Sequence, residues 1–335
     1  MTGAAEAGVA PLFDALASAP GRVCVVGSAN ADLTVRVAEL PKPGQTIAGG
    51  PLLVLPGGKS ANQAATVGRL GVESTFIGAV GDDPHGAMLR DSLVSAGVDA
   101  THLVESGEAT GTAMILVDEE AENCIVISAG ANGTVDADLV RGHADAIRGA
   151  GALGLCLEVG DDAVVEAARI AADAGVPVVF NLSPVREAPA ELLGLVDVLI
   201  VNEHELAVLV GDAAAAEGAD SGDWSDAAEA LARRHGIRTA VVTLGGAGSV
   251  VVENGDDGTT ATHVDPVTVD VVDTTGCGDS YMGSVMAGLA SGLGVRDAAR
   301  LAAAVSAYAA GGQGAQASYG TAEQVREFAA TGRRG

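Results

Sequence analysis

Aromatic side chains are nearly missing from this 335-residue chain: Phe, Trp and Tyr together make up 2% of it, with a single tryptophan. A core must then be built from Ala, Val, Leu and Ile. The hydrophobic content of 48% suffices for one large domain or two smaller ones and excludes disorder over most of the length. Positive charge is scarce too. Eighteen Lys and Arg face forty-four Asp and Glu, a formal net charge of −26, which argues against nucleic acid or an anionic membrane as a partner. Only two lysines occur, Lys42 and Lys59, so Lys59 in a glycine-rich segment carries weight. Cys24, Cys124, Cys156 and Cys277 are scattered, with no C-x-x-C pair and no zinc spacing. That suits a reducing cytosol, and a cytoplasmic location is expected. No apolar run reaches membrane-spanning length without charges or glycines. The first residues lack a basic region and carry Glu6 and Asp14, so they do not read as a signal peptide. Residues 1–20 read as a variable extension with a short helix at 12–19.

What is present is an alternation of buried strands and helices. Strands are expected at 22–27, 74–80, 153–157, 177–181, 196–201, 239–243 and 249–253. Helices are expected at 60–70, 84–96, 227–235 and 295–310 and between the later strands. This predicts the α/β class, a doubly wound and mostly parallel sheet with helices on both faces. Two β-rich pieces break the alternation. One, 33–55, is punctuated by Pro41, Pro43, Gly44, Gly49 and Gly50; the other is a hairpin, 110–117 and 123–127. They are expected to form a small separate sheet. Residues 211–224, with Trp224, read as a surface loop.

The most informative stretch runs from Asp273 to Asp279, Asp-Thr-Thr-Gly-Cys-Gly-Asp. It follows a β-like segment, 267–272, and opens an apolar helix near Ser280. Gly276 and Gly278 allow a tight bend that turns backbone N–H groups toward one point. At a helix N-terminus such donors favour an anion. Asp279 adds a carboxylate, and a base beside an anion nest suits phosphoryl transfer to a hydroxyl. An N-cap after a flexible turn explains the Asp equally well, but not the two glycines around Cys277.

Other motifs are read against simpler alternatives. Pro56-Gly-Gly-Lys-Ser60 is not a P-loop, because Leu53 stands where the first glycine is required. It is either a turn that lets Lys59 or Asn62 reach a polar ligand, or an ordinary helix start. Gly149–Gly154 matches G-x-G-x-x-G by chance, since it precedes a strand. Asn30 and Asp32 lie past the first strand, where they could hold sugar hydroxyls or form an Asx-turn. Glu158, Asn181 and Asn202-Glu-His-Glu205 end three further strands and jointly suggest a cleft. Thr243-Leu-Gly-Gly-Ala-Gly248 is either a tight hairpin or a place where a nucleotide meets backbone. The six histidines show no triad or metal spacing.

Seven motifs stand in one order: Gly27-Ser-Ala-Asn-Ala-Asp32, Gly57-Gly-Lys-Ser-Ala-Asn-Gln63, Gly81-Asp-Asp83, Ala129-Gly-Ala-Asn132, Asn202-Glu-His-Glu205, Thr243-Leu-Gly245 and Asp273–Asp279. In them the chain resembles the ribokinase-like (PfkB) family of sugar kinases over about residues 22–330. The resemblance implies a three-layer α/β/α domain at 21–335 with a β-lid at about 33–57 and 107–129, a lid that forms a homodimer interface in many relatives. It implies ATP-dependent phosphorylation of the 5-hydroxyl of D-ribose. Asp279 would be the general base and Gly276, Cys277 and Gly278 the anion hole. Ribose would be held by Asn30, Asp32, Gly58, Lys59, Asn62 and Glu158, and ATP by Asn202, Thr243, Gly245, Gly248 and Gly278. Asn202 and Glu205 would serve Mg²⁺ and phosphate. A monovalent cation, K⁺, would map to Asp273, Thr275, Ala309, Gly312, Gly314 and Ser318, partly through backbone carbonyls.

The chain departs from the family pattern at three places. Cys277 replaces the usual Ala and would sensitise the site to oxidation if its pKa were lowered there. Ser60 replaces a Gly, and Ala303 stands where relatives often carry Asn or His. Rival readings are a kinase for deoxyribose, another sugar, a nucleoside or pseudouridine, an NAD-dependent dehydrogenase, and a non-catalytic sugar-binding regulator. Asn30 speaks for ribose, the lack of aromatics against a nucleobase, the lack of a well-placed G-x-G-x-x-G against NAD, and the intact Asp279 against a silent regulator.

Overall fold

Strand β1 (Arg22–Val26) shows how the layers are built. Its side chains alternate in direction: Val23 and Val25 enter one apolar cluster, and Cys24 and Val26 enter another. Both faces are thus covered, as in a parallel sheet between two helical layers. A computed structural model describes residues 8–19, 21–120, 122–211, 224–256 and 258–334.

From β1 the main sheet runs in one direction to β4 (Glu73–Gly81), which pairs with the short β5 (Val98–Asp99) and β6 (Leu103–Ser106). In the other direction it passes through β9 (Ala152–Leu155), β10 (Val178–Asn181), β11 (Val198–Asn202) and β12 (Thr239–Thr243), all parallel. It ends in the antiparallel β13 (Ser249–Gly255) and β14 (Gly258–Val264). β14 has no counterpart in the sequence reading; its largely exposed side chains gave no buried run to read.

The longer helices are α1 (Ala10–Ser18), α2 (Lys59–Arg69), α3 (Pro84–Ser95), α4 (Asp161–Ala174), α5 (Glu203–Val210), α6 (Ser225–His235), α7 (Cys277–Ala290), α8 (Val295–Ala310) and α9 (Ala322–Thr331). α2, α7 and α8 cover one face and α4, α5 and α6 the other. Leu12, Phe13 and Leu16 of α1 are buried in the first layer, so this helix packs onto the folded body. Residues 1–7 and 212–223, with most of the expected 211–224 loop, lie outside the described residues. Trp224 does not sit on a surface loop: it is 3% exposed and N-caps α6. Among the described residues no helix is long and apolar enough to cross a membrane.

A second sheet of four strands stands apart, in the order β3 (Leu53–Gly57), β2 (Asn30–Arg36), β7 (Thr112–Val117), β8 (Asn123–Ser128). β2 and β7 are parallel, because each leaves the main body instead of turning back on the other. The sheet is rooted by Asp83, which caps α3 through Gly86 N and accepts from both Thr110 N and Thr110 Oγ1. Burial opposes ionisation there, but these hydrogen bonds outweigh it and hold the Asp83 carboxyl down at about 2.

Candidate active site

Parallel strands deliver their carboxyl ends to one edge of the sheet. There Ser28 follows β1, Glu158 lies beyond β9, and Asn181, Asn202 and Thr243 end β10, β11 and β12. The Glu158 carboxylate accepts from Ser28 Oγ (2.5 Å) and Lys59 N (3.0 Å), which joins the β9 side of the cleft to the start of α2.

Helix α7 begins at Cys277, three residues earlier than the sequence suggested. Its N-cap is Gly276, at φ 76°, a left-handed conformation open to glycine at little cost. Asp279 therefore lies within the first turn and does not cap the helix. Its carboxylate instead accepts from Asn62 Nδ2 at 2.8 Å. Asn62 is fixed in turn by Gln316 Nε2 (3.0 Å), and Gln316 by Ser92 Oγ (2.8 Å). This relay sets the rotamer of Asp279 from α2, α3 and the turn after α8. The side-chain amide of Gln63, fully buried next to Asn62, has no hydrogen-bond partner among the described residues.

The donors at this helix start are sharply divided. Cys277 N donates to Thr274 O (3.1 Å). No acceptor is found among the described residues for the N–H groups of Gly276 and Gly278. Of the three residues expected to form an anion hole, the two glycines keep free N–H groups and the backbone of Cys277 is engaged in the turn. The residues 267–272, read as β-like, have no ladder pairing. They form a wall of an apolar cavity of about 490 Å³, together with Thr243, Gly245, Gly248, Tyr281, Ala303 and Ala307. A smaller polar cavity of about 190 Å³ is lined by Lys59, Asn181, Asn202, Glu205 and Asp279. Thr243 and Gly278 line both, so the two cavities adjoin at the helix start.

Charge in the cleft is unbalanced. Burial first, then Glu158 and Asp279, push the Asp32 carboxyl up to about 7 against the pull of Lys59. Burial likewise lifts Asp279 to about 6, while Lys59 and Asn62 act in the opposite sense. Burial would lower the Lys59 ammonium, but Asp279 and Glu158 outweigh it and hold its pKa above the usual lysine value.

The sequence profile described as "pfkB family carbohydrate kinase" matches residues 21–322. The chain belongs to the pfkB family of carbohydrate kinases. The ribokinase of Haemophilus influenzae is 34% identical over 307 residues, spanning 91% of this chain and 97% of its own length. That of Schizosaccharomyces pombe is 34% identical over 308 residues, spanning 88% and 94%. Among solved structures, Arabidopsis thaliana ribokinase complexed with ribose and ATP matches with a TM-score of 0.83 at 29% identity, covering 92% of this chain and 99% of that one.

In this pfkB kinase, Asn30, Asp32, Gly58, Lys59, Asn62 and Glu158 gather around the cleft from β2, the α2 start and the β9 end. Asn30 is a strand residue and forms no Asx-turn; its Oδ1 accepts from Asn132 Nδ2 (2.8 Å). Asn202 and Glu205 form a reciprocal capping box, Asn202 N to Glu205 Oε2 at 2.9 Å and Glu205 N to Asn202 Oδ1 at 2.8 Å. One oxygen of Glu205 and the Asn202 amide N–H₂ lie outside that box, a donor set suited to a hydrated Mg²⁺ and a phosphate. Burial raises the Glu205 pKa. The six positions assigned to K⁺ also come together: Asp273 accepts from Thr275 N and Gly314 N, both at 2.9 Å. Their carbonyls, however, are contested. Arg334 donates to Ala309 O (3.4 Å) and Ser318 O (2.9 Å), so a guanidinium takes up carbonyl acceptors that a monovalent cation would use. Asn132, Gln316 and Tyr319 were assigned no role in the sequence reading; Tyr319 Oη donates to Gly276 O at 2.9 Å.

Two departures from the family pattern resolve. Ser60 is fully buried with its hydroxyl against Cys156 Sγ at 3.1 Å. Burial, with Asp273 and Asp279, pushes the Cys277 thiol up to about 11, opposite to the lowering that oxidation sensitivity requires. Cys277 is expected to alkylate far more slowly at pH 7.5 than the exposed Cys124, and Cys277→Ala to keep near-wild-type turnover. Iodoacetamide labelling read by mass spectrometry checks this, and preferential labelling of Cys277 would refute it.

Asp32 carries a stability prediction. Its folded pKa lies above the unfolded value, so its contribution is complete below the unfolded pKa and is lost as pH rises through about 7. Asp32→Asn is therefore expected to raise stability at pH 8, on the order of a few kcal/mol, with no gain near pH 4, while weakening sugar binding. Urea midpoints at the two pH values provide the comparison, and a pH-independent change would contradict it.

Proposed function

We propose that the chain is an ATP-dependent kinase that phosphorylates the 5-hydroxyl of D-ribose. The observation that carries this reading is Asp279, buried on the Asn62 relay where a polar and an apolar cavity adjoin. The ribokinases to which the chain is similar support ribose and ATP as the two substrates. The adenine would lie in the apolar cavity and the sugar among Asn30, Asp32, Lys59 and Glu158. Asp279 takes the hydroxyl proton as that oxygen attacks the γ-phosphorus. The bond to the β,γ-bridging oxygen breaks in line, and ADP leaves. The Gly276 and Gly278 N–H groups face the charge that develops on the transferring group. Magnesium bound with ATP would neutralise phosphate charge, and Asn202 and Glu205 would hold its shell. Among the described residues no set of three or more His, Cys, Asp or Glu could hold a metal, which favours entry of the ion with the nucleotide.

The same reading includes a homodimer through the second sheet, supported by the exposed Met114, Ile125, Val126 and Ile127 on β7 and β8. It includes a cytoplasmic location, supported by four cysteines that are all free. The deciding experiment is ADP release from purified protein with Mg-ATP and D-ribose, 2-deoxyribose, fructose, adenosine or pseudouridine. Ribose-dependent turnover supports the assignment. Turnover only with a nucleoside keeps Asp279 as base but overturns the sugar pocket. Silence with all five removes the kinase reading for this substrate class.

A further inference from the structure

Near the end of the chain, past α9, Arg334 folds back onto the end of α8. Its Nη1 donates to Tyr308 O at 2.7 Å and Ala309 O at 3.4 Å, and its Nη2 to Ser318 O at 2.9 Å. Its Cζ stands 4.4 Å from the centre of the Tyr308 ring, within range of a cation–π contact. A Cβ at Gly312 would fall 2.2 Å from Nη1, so the guanidinium rests directly on that glycine. Tyr308 and Ala309 are in the last turn of α8, at the negative end of its dipole; beyond the helix Gly311 N and Gly312 N also donate to these two carbonyls. A full positive charge is therefore held where the backbone concentrates negative charge.

The turn it closes is tied to the anion nest. Ala310 O accepts from Val272 N (2.8 Å) and Asp273 N (3.2 Å). Gly314 N donates to Asp273, and Tyr319 Oη to Gly276 O. The segment 272–276 thus hangs on 310–319, and Arg334 binds the same turn through Ser318 O and the end of α8. Ala309 and Ser318 belong to the set that the family resemblance gives to a monovalent ion, and Gly312 of that set is the residue on which the guanidinium rests.

We propose that Arg334 is a built-in cation: its guanidinium closes the carbonyl cradle in place of a monovalent ion and positions the Gly276–Gly278 nest for catalysis. It touches neither substrate nor the transferred group, so it is a positioning residue. The inference rests on the kinase reading, but its stability arm does not.

The test compares wild type, Arg334→Ala and Arg334→Lys in choline, potassium and low-millimolar guanidinium chloride at constant ionic strength, reading turnover and melting temperature. Wild type is expected to be indifferent to K⁺ in both. Arg334→Ala is expected to lose about 10-fold in kcat with the sugar KM unchanged. Added guanidinium or K⁺ should restore most of that loss and raise its melting temperature selectively. A Lys keeps charge without the planar fork and should fall between. A wild type activated several-fold by K⁺, or an Arg334→Ala loss that no cation repairs, would overturn the proposal. If the wild type shows no turnover, the kinase reading has failed, and the cation-dependent melting of the variant still decides the role of Arg334. If Arg334→Ala does not fold, Arg334→Lys and the K⁺ response of wild-type melting decide it.

Discussion

An Asp279→Asn enzyme is expected to fold, to bind both substrates and to turn over about 10²–10⁴-fold more slowly. The substitution keeps shape and an oxygen that can still accept from Asn62, but it removes the only carboxylate that α7 places at the junction of the two cavities. Because burial lifts Asp279 to about 6, a neutral side chain there also relieves the fold of a buried charge above that pH, so melting temperature at pH 8 should not fall. The wild-type pH profile carries the sign. A base must be ionised, so kcat/KM should drop as pH falls through about 6. Asp279→Asn should lack that limb. Residual turnover within about tenfold of wild type would remove Asp279 from the role of base.

Lys59→Met is expected to produce the next largest loss, about 10²–10³-fold in kcat/KM at pH 7. Lys59 lowers the pKa of Asp32, Asp279 and Glu205 alike. Without it these three carboxyls and Glu158 are left uncompensated in a largely buried cleft, and Asp279 should titrate above about 6. The acidic limb of the pH profile should then move upward and part of the lost activity should return near pH 9. A variant whose limb stays in place would show that Lys59 acts on the substrates alone. The contrast with Asp279→Asn is diagnostic: one substitution abolishes a titration and the other displaces it.

The parts of this site legible in the sequence are those that lie within one contiguous stretch. Gly276, Gly278 and Asp279 announce an anion nest and a base because a turn and a helix start are local events. Strand ends could be read because buried apolar runs stop at Glu158, Asn181 and Asn202. The relay behind Asp279 could not be read, since Gln316 meets Asn62 across 254 positions and nothing beside Gln316 signals a partner. The engagement of Cys277 N was hidden for another reason: whether a donor faces inward or closes a turn depends on torsion angles, and composition does not encode them. Similarly, Asn132 stands in a recognisable motif, but its clamp on Ala29 N at 2.9 Å and on Asn30 appears only once β2 is placed. Trp224 was misplaced because the glycines and aspartates before it say loop, whereas its own bulk decides its burial.

The sparse aromatics have an optical consequence. The sole tryptophan, Trp224, is buried in the layer that holds α4, α5 and α6. All three tyrosines, Tyr281, Tyr308 and Tyr319, are buried in the opposite layer with α2, α7 and α8. Indole emission and phenol absorbance therefore report from opposite sides of the same sheet. Recorded together through a denaturant titration, they would show whether the layer carrying the catalytic helix melts with the rest or ahead of it, without a single label being added.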